Sequence, residues 1–250
     1  MAGHSKWAQI KHKKATVDAR RGQLFTKLAR AITVAARDGG ADPEGNAALA
    51  NAIEKAKSFR MPKENIERAV ARGTGAAGDA AAIESVTYEG YGPGGVAVLV
   101  ECLTDNRNRT AADIRHLFSR AGANLGEPGS VAWMFEKKGV VLVDGDRYGE
   151  DDLISAIDAG AEDVSQEGDS LRVVCAPASL RDVRQALEES GVEVQSTEQS
   201  MIPKTVVEVG VEDARKLLRL IDALDDQDDV DQVHAYFDIN PGVLEEVAAA

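Results

Sequence analysis

The hydrophobic period of this 250-residue chain changes near residue 83, and that change limits the folds open to it. Before that point, apolar residues recur every three to four positions, which is typical of amphipathic helices. After it, short apolar runs such as 96–103 alternate with helical patterns, which is typical of mixed helix and sheet domains. A stretch rich in glycine at 73–78 separates the two regions and has the composition of a hinge. The chain is therefore expected to place an all-helical part before an α/β part.

The helical region predicts a bundle of three helices. A first helix over about 16–38 ends at a pair of glycines. Asp42 and Pro43 predict the N-cap and first turn of the second helix. Pro62 predicts the start of a short third helix, which Gly73 closes.

The region after residue 83 predicts two α/β domains. Residues 137–202 have the element order βαββαβ, the ferredoxin-like pattern. The flanking segments, 79–136 and 203–250, are expected to pair in one discontinuous domain, which right-handed βαβ connections make reasonable. The expected fold class is therefore α+β: an N-terminal three-helix bundle over 1–78, followed by two ferredoxin-like α/β domains, the second inserted into the first.

Each flanking segment predicts a strand, a helix and a strand. The expected elements are 96–103, 110–121 and 131–135 in the first segment, and 205–209, 212–224 and 230–237 in the second. Between 91 and 96, Gly92-Pro93-Gly94-Gly95 predicts a hairpin turn, since it lacks the Lys-Ser/Thr pair of a phosphate-binding P-loop.

Positive charge is concentrated at the N-terminus of an otherwise acidic chain. The formal net charge is −13, yet the residues up to Gly75 hold 15 basic and 7 acidic side chains. The first 37 residues hold nine Lys and Arg against one acid, Asp18. Because attraction to phosphate is strong only within about 8–10 Å, such a segment can bind nucleic acid although the whole chain is acidic. We interpret it as a nucleic-acid contact; a solvated basic face is the alternative.

The candidate nucleic-acid-binding residues form three groups. A basic leader supplies lysines and an aromatic ring that can stack on an unpaired base. The first helix supplies a cationic stripe, and the junction at 105–110 supplies two forked arginines suited to phosphate. The residues are His4, Ser5, Lys6, Trp7, Lys11, His12, Lys13 and Lys14 in the leader, Arg20, Arg21, Lys27, Arg30 and Arg37 on the helix, and Arg107 and Arg109 at the junction.

Each group has a structural alternative. Trp7 can pack on the bundle while the lysines are simply solvated. At the junction, Asp105 or Asn108 can cap the following helix while the two arginines pair with Glu89 or Glu101. The third helix carries Lys63, Asn65 and Arg68, so this helix could also be the DNA-reading helix of a helix-turn-helix motif.

Six aspartates between 222 and 231 raise the possibility of a metal site. An EF-hand needs Gly at its sixth and Glu at its twelfth position, and from Asp225 these are Val230 and Tyr236. A solvated acidic loop is favoured, although the loop can also rest against the basic part and autoinhibit binding. No catalytic motif is present, so neither an enzyme nor a cofactor nor a metal is expected; a nuclease using the aspartates is the remaining enzymatic alternative.

The chain lacks an apolar run near 18 residues and the apolar core of a signal peptide. A cytoplasmic monomer is expected, with nucleic acid as its partner and with no membrane or small-molecule substrate.

The chain contains many short motifs in a characteristic order, and most of them lie within residues 3–139. They include Gly3-His4-Ser5-Lys6-Trp7, Asp18-Ala19-Arg20-Arg21-Gly22, Asn65-Ile66-Glu67-Arg68-Ala69, Tyr88-Glu89-Gly90-Tyr91-Gly92-Pro93-Gly94-Gly95, Thr104-Asp105-Asn106-Arg107-Asn108-Arg109-Thr110 and Gly129-Ser130-Val131. The set resembles the YebC family, which includes the mitochondrial translational activator of cytochrome oxidase.

The resemblance implies a three-domain α/β protein of the bacterial cytoplasm that regulates gene expression without catalysing a reaction. The family is traditionally labelled as DNA-binding transcriptional regulators. Some members resemble ribosome-associated translation factors that act at difficult sequences such as proline runs. Both functions remain open at this point, with ribosomal RNA favoured and promoter DNA as the alternative, because no clear base-reading element accompanies the basic residues.

Overall fold

The computed structural model describes residues 18–75, 83–204, 206–235 and 237–238, which form two compact units. One unit is Phe135–Lys204, and the other contains the described residues on either side of it. The helices are α1 (Asp18–Gly39), α2 (Ala47–Ser58), α3 (Lys63–Gly73), α4 (Arg107–Arg120), α5 (Ile154–Asp158), α6 (Leu180–Glu189) and α7 (Val211–Asp225). The strands are β1 (Glu84–Tyr91), β2 (Ala97–Thr104), β3 (Asn124–Leu125), β4 (Phe135–Asp144), β5 (Ala161–Glu167), β6 (Ser170–Cys175), β7 (Val194–Pro203), β8 (Val207–Glu208), β9 (Val230–Ala235) and β10 (Phe237–Asp238).

Helices α1, α2 and α3 pack around one apolar cluster, as the helical period predicts. Leu28, Ile32 and Ala36 recur every four residues on α1 and are buried, since this spacing keeps side chains on one helix face. Leu49 of α2 and Ile66 of α3 belong to the same cluster. The apolar face of α1 is therefore the centre of this bundle.

The second helix begins later than the sequence predicts, because Asn46 and not Asp42 is its N-cap. The Asn46 Oδ1 accepts a hydrogen bond from a first-turn amide at 3.1 Å. Its Nδ2 donates to the carbonyls of Ala35 and Gly40, at the end of α1. Asn46 thus satisfies backbone groups of two helices at once, whereas Asp42 only closes a turn by accepting from the amide two residues on.

The larger unit contains a four-stranded antiparallel sheet with the order β3-β1-β2-β9. The predicted hairpin between β1 and β2 is confirmed, and Gly94 and Gly95 both have φ of +72°, a conformation that favours glycine. Phe118 of α4 and Leu217 of α7 share a core with Val98 of β2. Because β9 pairs with β2, residues before and after Phe135–Lys204 build one sheet.

The prediction of a strand at 131–135 is wrong. The amides of Val131 and Ala132 donate to the Glu89 carboxylate, so they are not available to a β ladder. The chain instead makes a short 3₁₀ turn, and β4 begins at Phe135 in the smaller unit. The strand expected at 205–209 is shorter in the structure, where β8 covers only Val207–Glu208. It pairs in parallel with β10 in a separate two-stranded sheet. Residue 205 lies outside the described part.

The smaller unit has the predicted element order βαββαβ, formed by β4, α5, β5, β6, α6 and β7. Its antiparallel sheet has the order β5-β6-β4-β7, and Val141, Val173 and Leu187 lie in its core. The mixed helix and sheet class predicted from the sequence is therefore confirmed, while the boundaries of the three expected domains stay a prediction. None of the helices in the described part is long and apolar enough to cross a membrane.

The close packing of α3 on α1 makes Gly73 sensitive to substitution. A Cβ at Gly73 would lie 2.3 Å from the Thr33 carbonyl oxygen and 2.8 Å from the Ala36 Cβ. We expect Gly73→Ala to lower the free energy of unfolding by about 1–3 kcal/mol, because backbone and buried atoms must shift. A urea titration followed by circular dichroism measures this loss.

Gly22→Ala is the matched control, since no atom lies within 4 Å of its added Cβ and the site is an exposed turn of α1. The control is expected to gain about 0.5–1 kcal/mol from the higher helix propensity of alanine. Equal stability of Gly73→Ala and the parent chain would contradict the close approach of α1 and α3.

Candidate nucleic-acid interface

The cationic stripe predicted on α1 faces the connection between α7 and β9, residues 225–229, which we call the acidic segment. The Lys27 Nζ donates to the Asp225 carbonyl oxygen at 2.6 Å. The Arg30 guanidinium forms an ion pair with the Asp229 carboxylate at 2.8 Å. Two cations expected to follow a phosphate backbone are therefore engaged by the chain itself.

A neutral side chain that sequence reasoning missed adds to this contact. The Gln23 Nε2 donates to the Asp226 carbonyl oxygen and to the Asp228 carboxylate, both at 2.7 Å, and Arg30 also donates to the Asp228 carbonyl oxygen at 2.7 Å. Several acceptors are thus backbone carbonyls near the C-terminal end of α7, where the helix dipole is negative. Carbonyls have no sequence signature, so only the six-aspartate run could have indicated this surface.

Asp229 joins three elements through one carboxylate. Its Oδ1 accepts from Arg30 of α1, and its Oδ2 accepts from Arg109 at 2.8 Å and from Thr110 at 2.7 Å, both on α4. Its backbone carbonyl accepts from the Leu103 amide of β2 at 2.8 Å. The side chain is only 4 % exposed, so this carboxylate is the buried point at which helix α1 meets the sheet domain.

The ionisation of these groups follows from their surroundings. Burial alone would raise the pKa of Asp229, but the hydrogen bonds from Arg109 and Thr110 and the charges of Arg109 and Arg30 outweigh it and lower the pKa. Burial lowers the pKa of Lys27, although Asp225 and neighbouring carboxylates partly offset the effect. Asp229 is therefore charged at neutral pH and matches the cations around it.

The remaining stripe residues have other surroundings. Arg37 donates to the Asp38 carboxylate at 2.8 Å and to the Ile83 carbonyl oxygen. Arg21 is exposed and lies over the Phe25 ring, with its guanidinium carbon 5.3 Å from the ring centroid. The side chain of Arg20 and the whole leader, with His4, Ser5, Lys6, Trp7, Lys11, His12, Lys13 and Lys14, lie outside the described part of the chain.

At the start of α4, the N-cap is Asn106 and not Asp105 or Asn108. The Asn106 Oδ1 accepts from the Arg109 amide at 3.1 Å. Asn106 takes this position because Thr104 Oγ1 accepts its amide at 2.9 Å and so fixes the turn before the helix. The side chain of the exposed Asn108 is left to line the surface.

The two arginines of this junction differ in availability. The Arg109 guanidinium bonds Asp105 and Asp229, both at 2.8 Å, and is therefore already engaged by two carboxylates although it is half-exposed. Arg107 is more exposed and lies 3.6 Å from the Glu84 carboxylate. It lines an open groove of about 630 Å³ together with Tyr88. Arg107 is thus the member of the pair that can still take a phosphate.

Glu89, expected as an arginine partner, instead holds a loop. Its carboxylate accepts hydrogen bonds from the amides of Gly129 at 2.6 Å and of Val131 and Ala132 at 2.7 Å each. Burial would raise the pKa of Glu89, but these three backbone donors lower it. Glu101, the other expected partner, lies 3.0 Å from His234 Nε2. The pairs expected with Glu89 and Glu101 are therefore not the ones observed. Arg107 lies near Glu84, and Arg109 pairs with Asp105 and Asp229.

The aspartates of the acidic segment bind cationic and amide side chains of α1. In the described residues, no group of three or more His, Cys, Asp or Glu side chains is placed to hold a metal ion. Cys102 and Cys175 are both buried free thiols, and burial raises the pKa of Cys102 to about 12.

Two family models match this chain. The model described as the TACO1/YebC protein N-terminal domain covers residues 5–76, and that of the TACO1/YebC second and third domain covers residues 83–237. The chain belongs to the TACO1/YebC family. The resemblance stated from the motifs is thereby confirmed.

Relatives of the TACO1/YebC chain match over nearly their whole length. A protein of Rubrobacter xylanophilus named "Probable transcriptional regulatory protein" is 57 % identical over 99 % of this chain and 100 % of its own. A Streptomyces avermitilis protein of the same name is 51 % identical over 100 % of both chains. The crystal structure of a conserved hypothetical protein from Aquifex aeolicus has a TM-score of 0.85 and 47 % identity, covering 94 % of this chain and 97 % of that one.

The network around Asp229 predicts the effect of removing its charge. Asp229→Asn keeps the size of the side chain but leaves Arg30 and Arg109 without their buried partner. We expect a loss of about 2 kcal/mol at pH 7, which is moderate because water already screens the half-exposed Arg109. Urea titrations of the two proteins at several pH values measure it.

The loss has a defined pH dependence. The folded pKa of Asp229 is lowered, so its stabilisation is complete above the unfolded value of about 3.9 and disappears as the pH falls through the folded value. The difference between parent and variant is therefore expected to shrink under acid. A difference that stays constant down to the acid limit would show that Asp229 stabilises the fold by packing rather than by charge.

Proposed function

We propose that this TACO1/YebC chain is a non-enzymatic, nucleic-acid-binding regulator of gene expression that acts as a ribosome-associated translation factor. Its partner is ribosomal RNA, and its role is to relieve stalling at difficult sequences such as proline runs, as the family resemblance suggests. The observation that carries the proposal is the concentration of 15 basic residues before position 76 in a chain of net charge −13. Such an asymmetry serves local attraction to phosphate in a molecule that is otherwise repelled by it.

The leader makes the first contact, because the central cations of α1 are engaged. Lys27 and Arg30 bind the acidic segment, whereas the leader over 4–14 holds four lysines. Lysines attract phosphate as point charges without reading sequence, and Trp7 can stack on an unpaired base. Folded RNA offers such bases and duplex DNA does not, which favours RNA.

The names of the relatives favour a second candidate, a DNA-binding transcriptional regulator. Its reading element would be α3, with Lys63, Asn65 and Arg68. The exposed face of this helix also carries Glu64 and Glu67, and Lys63 lies 3.5 Å from the Glu67 carboxylate. Carboxylates next to the phosphates of a major groove oppose binding, so α3 is a weak candidate for reading DNA.

Ribosome pelleting separates the two candidates. Purified protein is sedimented with ribosomes across about 50–300 mM KCl, a range over which phosphate contacts weaken steeply. A duplex promoter fragment is added as competitor. Ribosome binding that the duplex does not displace supports the translation factor, whereas sequence-selective capture by the duplex supports the transcriptional regulator.

The leader lysines are expected to carry most of the binding. Changing Lys11, Lys13 and Lys14 together to Glu replaces three attractions to phosphate by three repulsions. We expect ribosome affinity at physiological salt to fall more than about a hundredfold, in the same pelleting assay. Retained binding would place the contact elsewhere on the chain.

The matched control changes Lys137, Arg181 and Lys204 to Glu. These exposed residues belong to the smaller unit and give the same change in net charge. The control is expected to bind almost normally, because it changes the net charge equally but leaves the leader lysines in place.

The acidic segment competes with phosphate for the stripe on α1. Its carbonyls and carboxylates occupy Lys27 and Arg30 as phosphate oxygens would, so RNA can use these cations only after displacing the segment. The first contact by the leader and the later release of the stripe are then separate steps. Binding is autoinhibited in this sense.

Neutralising the segment is expected to strengthen RNA binding. Asp225, Asp226 and Asp228 changed together to Asn leave the structural Asp229 in place, and we expect about a three- to tenfold gain in affinity for ribosomes. The control, Asp151, Asp158 and Asp163 to Asn, removes the same charge from exposed sites in the smaller unit. An equal gain in both triple variants would show a net-charge effect without local competition.

A further inference from the structure

Two exposed aromatic side chains, Tyr91 at the end of β1 and Trp133 after β3, bond the same backbone carbonyl. Trp133 is 64 % exposed and Tyr91 37 % exposed, in a chain with only 4 % aromatic residues. The Trp133 Nε1 donates to the Ser130 carbonyl oxygen at 3.1 Å, and the Tyr91 hydroxyl donates to the same oxygen at 3.0 Å. One carbonyl thus fixes the polar atoms of both rings, while Trp133 stays largely exposed and Tyr91 partly exposed.

The loop that carries Ser130 and Trp133 is itself firmly held. The buried Glu89 carboxylate accepts three of its backbone amides, and the Gly126 amide donates to the Glu89 carbonyl oxygen at 2.7 Å. A Cβ at Gly126 would lie 2.5 Å from the Ser130 Oγ, so the turn tolerates no side chain at that position without rearrangement. The rings are therefore presented in a fixed arrangement, which reduces the entropy lost when a ligand binds.

We propose that Trp133 and Tyr91 form a stacking surface for an unpaired nucleobase of RNA. The inference rests on the proposed function and adds a base contact to it, distant in sequence from the basic leader. Nucleobases stack on tryptophan and tyrosine faces regardless of base identity, which suits a factor that binds folded RNA through its unpaired positions.

The polar neighbour of this surface fits a base. Asn124 of β3 is directly opposite Tyr91 of β1 in the sheet register and is exposed. Side chains opposite each other on antiparallel strands lie on one face about 5 Å apart. The Asn124 amide offers both a donor and an acceptor, as the edge of a nucleobase requires.

The size of the surface argues against a protein partner. Stable protein interfaces bury about 800 Å² on each side around a desolvated apolar centre. Within the larger unit, Val206 is the other large hydrophobic side chain that the structure describes as exposed. Residues 126–129 are Gly, Glu, Pro and Gly, of which only Pro128 has an apolar side chain. The rings of Trp133 and Tyr91 and the amide of Asn124 together offer a surface of the size of one or two nucleobases.

Tryptophan fluorescence tests the stacking directly. The chain has two tryptophans, so Trp7→Phe leaves Trp133 as the sole source of indole emission and keeps a ring at position 7. The probe is a single-stranded oligoadenylate of about 12 nucleotides, within the site size of single-strand binders. We expect it to quench Trp133 emission saturably, at the same concentrations at which the anisotropy of a labelled copy rises.

Affinity measurements complete the test in chains that retain Trp7. Trp133→Ala is expected to weaken oligoadenylate binding about tenfold, and Trp133→Phe to restore most of the affinity because a ring remains. Ile157→Ala changes an apolar residue of the smaller unit that is 56 % exposed, and it is expected to have no effect.

The outcomes distinguish this inference from the proposed function. If the anisotropy rises but Trp133 is neither quenched nor needed, RNA binds elsewhere and the stacking surface is refuted. If the parent chain binds neither oligoadenylate nor ribosomes, the proposed function itself fails. A change in Trp133 emission with ribosomal proteins but not with RNA would overturn the assignment in favour of a protein partner.

Discussion

The buried carboxylate of Asp229 is the contact on which the arrangement of the larger unit depends. A carboxylate that is almost fully enclosed must be paired, since leaving one partner of a buried ion pair alone costs several kcal/mol. Its partners come from α1 and from α4, and its own backbone is bound to β2. The buried Asp229 charge is therefore neutralised by arginines from both α1 and α4, and the same residue ties these helices to the sheet.

The same contact gives the acidic residues of the chain a specific use. Free cations on a protein surface attract any polyanion, and such attraction carries no selectivity. By placing carbonyls and carboxylates against Lys27 and Arg30, the chain supplies its own counter-ions. In the proposed function, an RNA partner must displace these groups before it reaches the two cations. Charge masking in this way trades raw affinity for discrimination.

Regular patterns made much of this fold predictable. The three N-terminal helices, the hairpin at Gly94 and the βαββαβ order each follow from local periodicity and turn chemistry, and the motifs led to the family. The helix caps fail for local reasons, because Asn46 and Asn106 take the cap positions. The errors at residues 131–135 and on the cationic stripe share another cause, a partner distant in sequence. The sequence around Val131 and Ala132 has the pattern of a strand, but the amides of both residues donate to the Glu89 carboxylate, which prevents strand pairing. The helical period puts Lys27 and Arg30 on one stripe, but the carbonyls that engage them belong to residues about 200 positions away.

The pairing of β2 with β9 has a consequence for how the protein is made. The two strands are separated by the whole smaller unit, so β2 leaves the ribosome long before its neighbour exists. During that interval its edge is open, and α1 has been synthesised while the aspartates that cover its cations have not. At synthesis rates of about 5–20 residues per second, the interval lasts on the order of ten seconds. A newborn chain therefore carries an uncovered basic helix beside the ribosome that is making it, and the contact that masks the helix forms only when the last strands arrive.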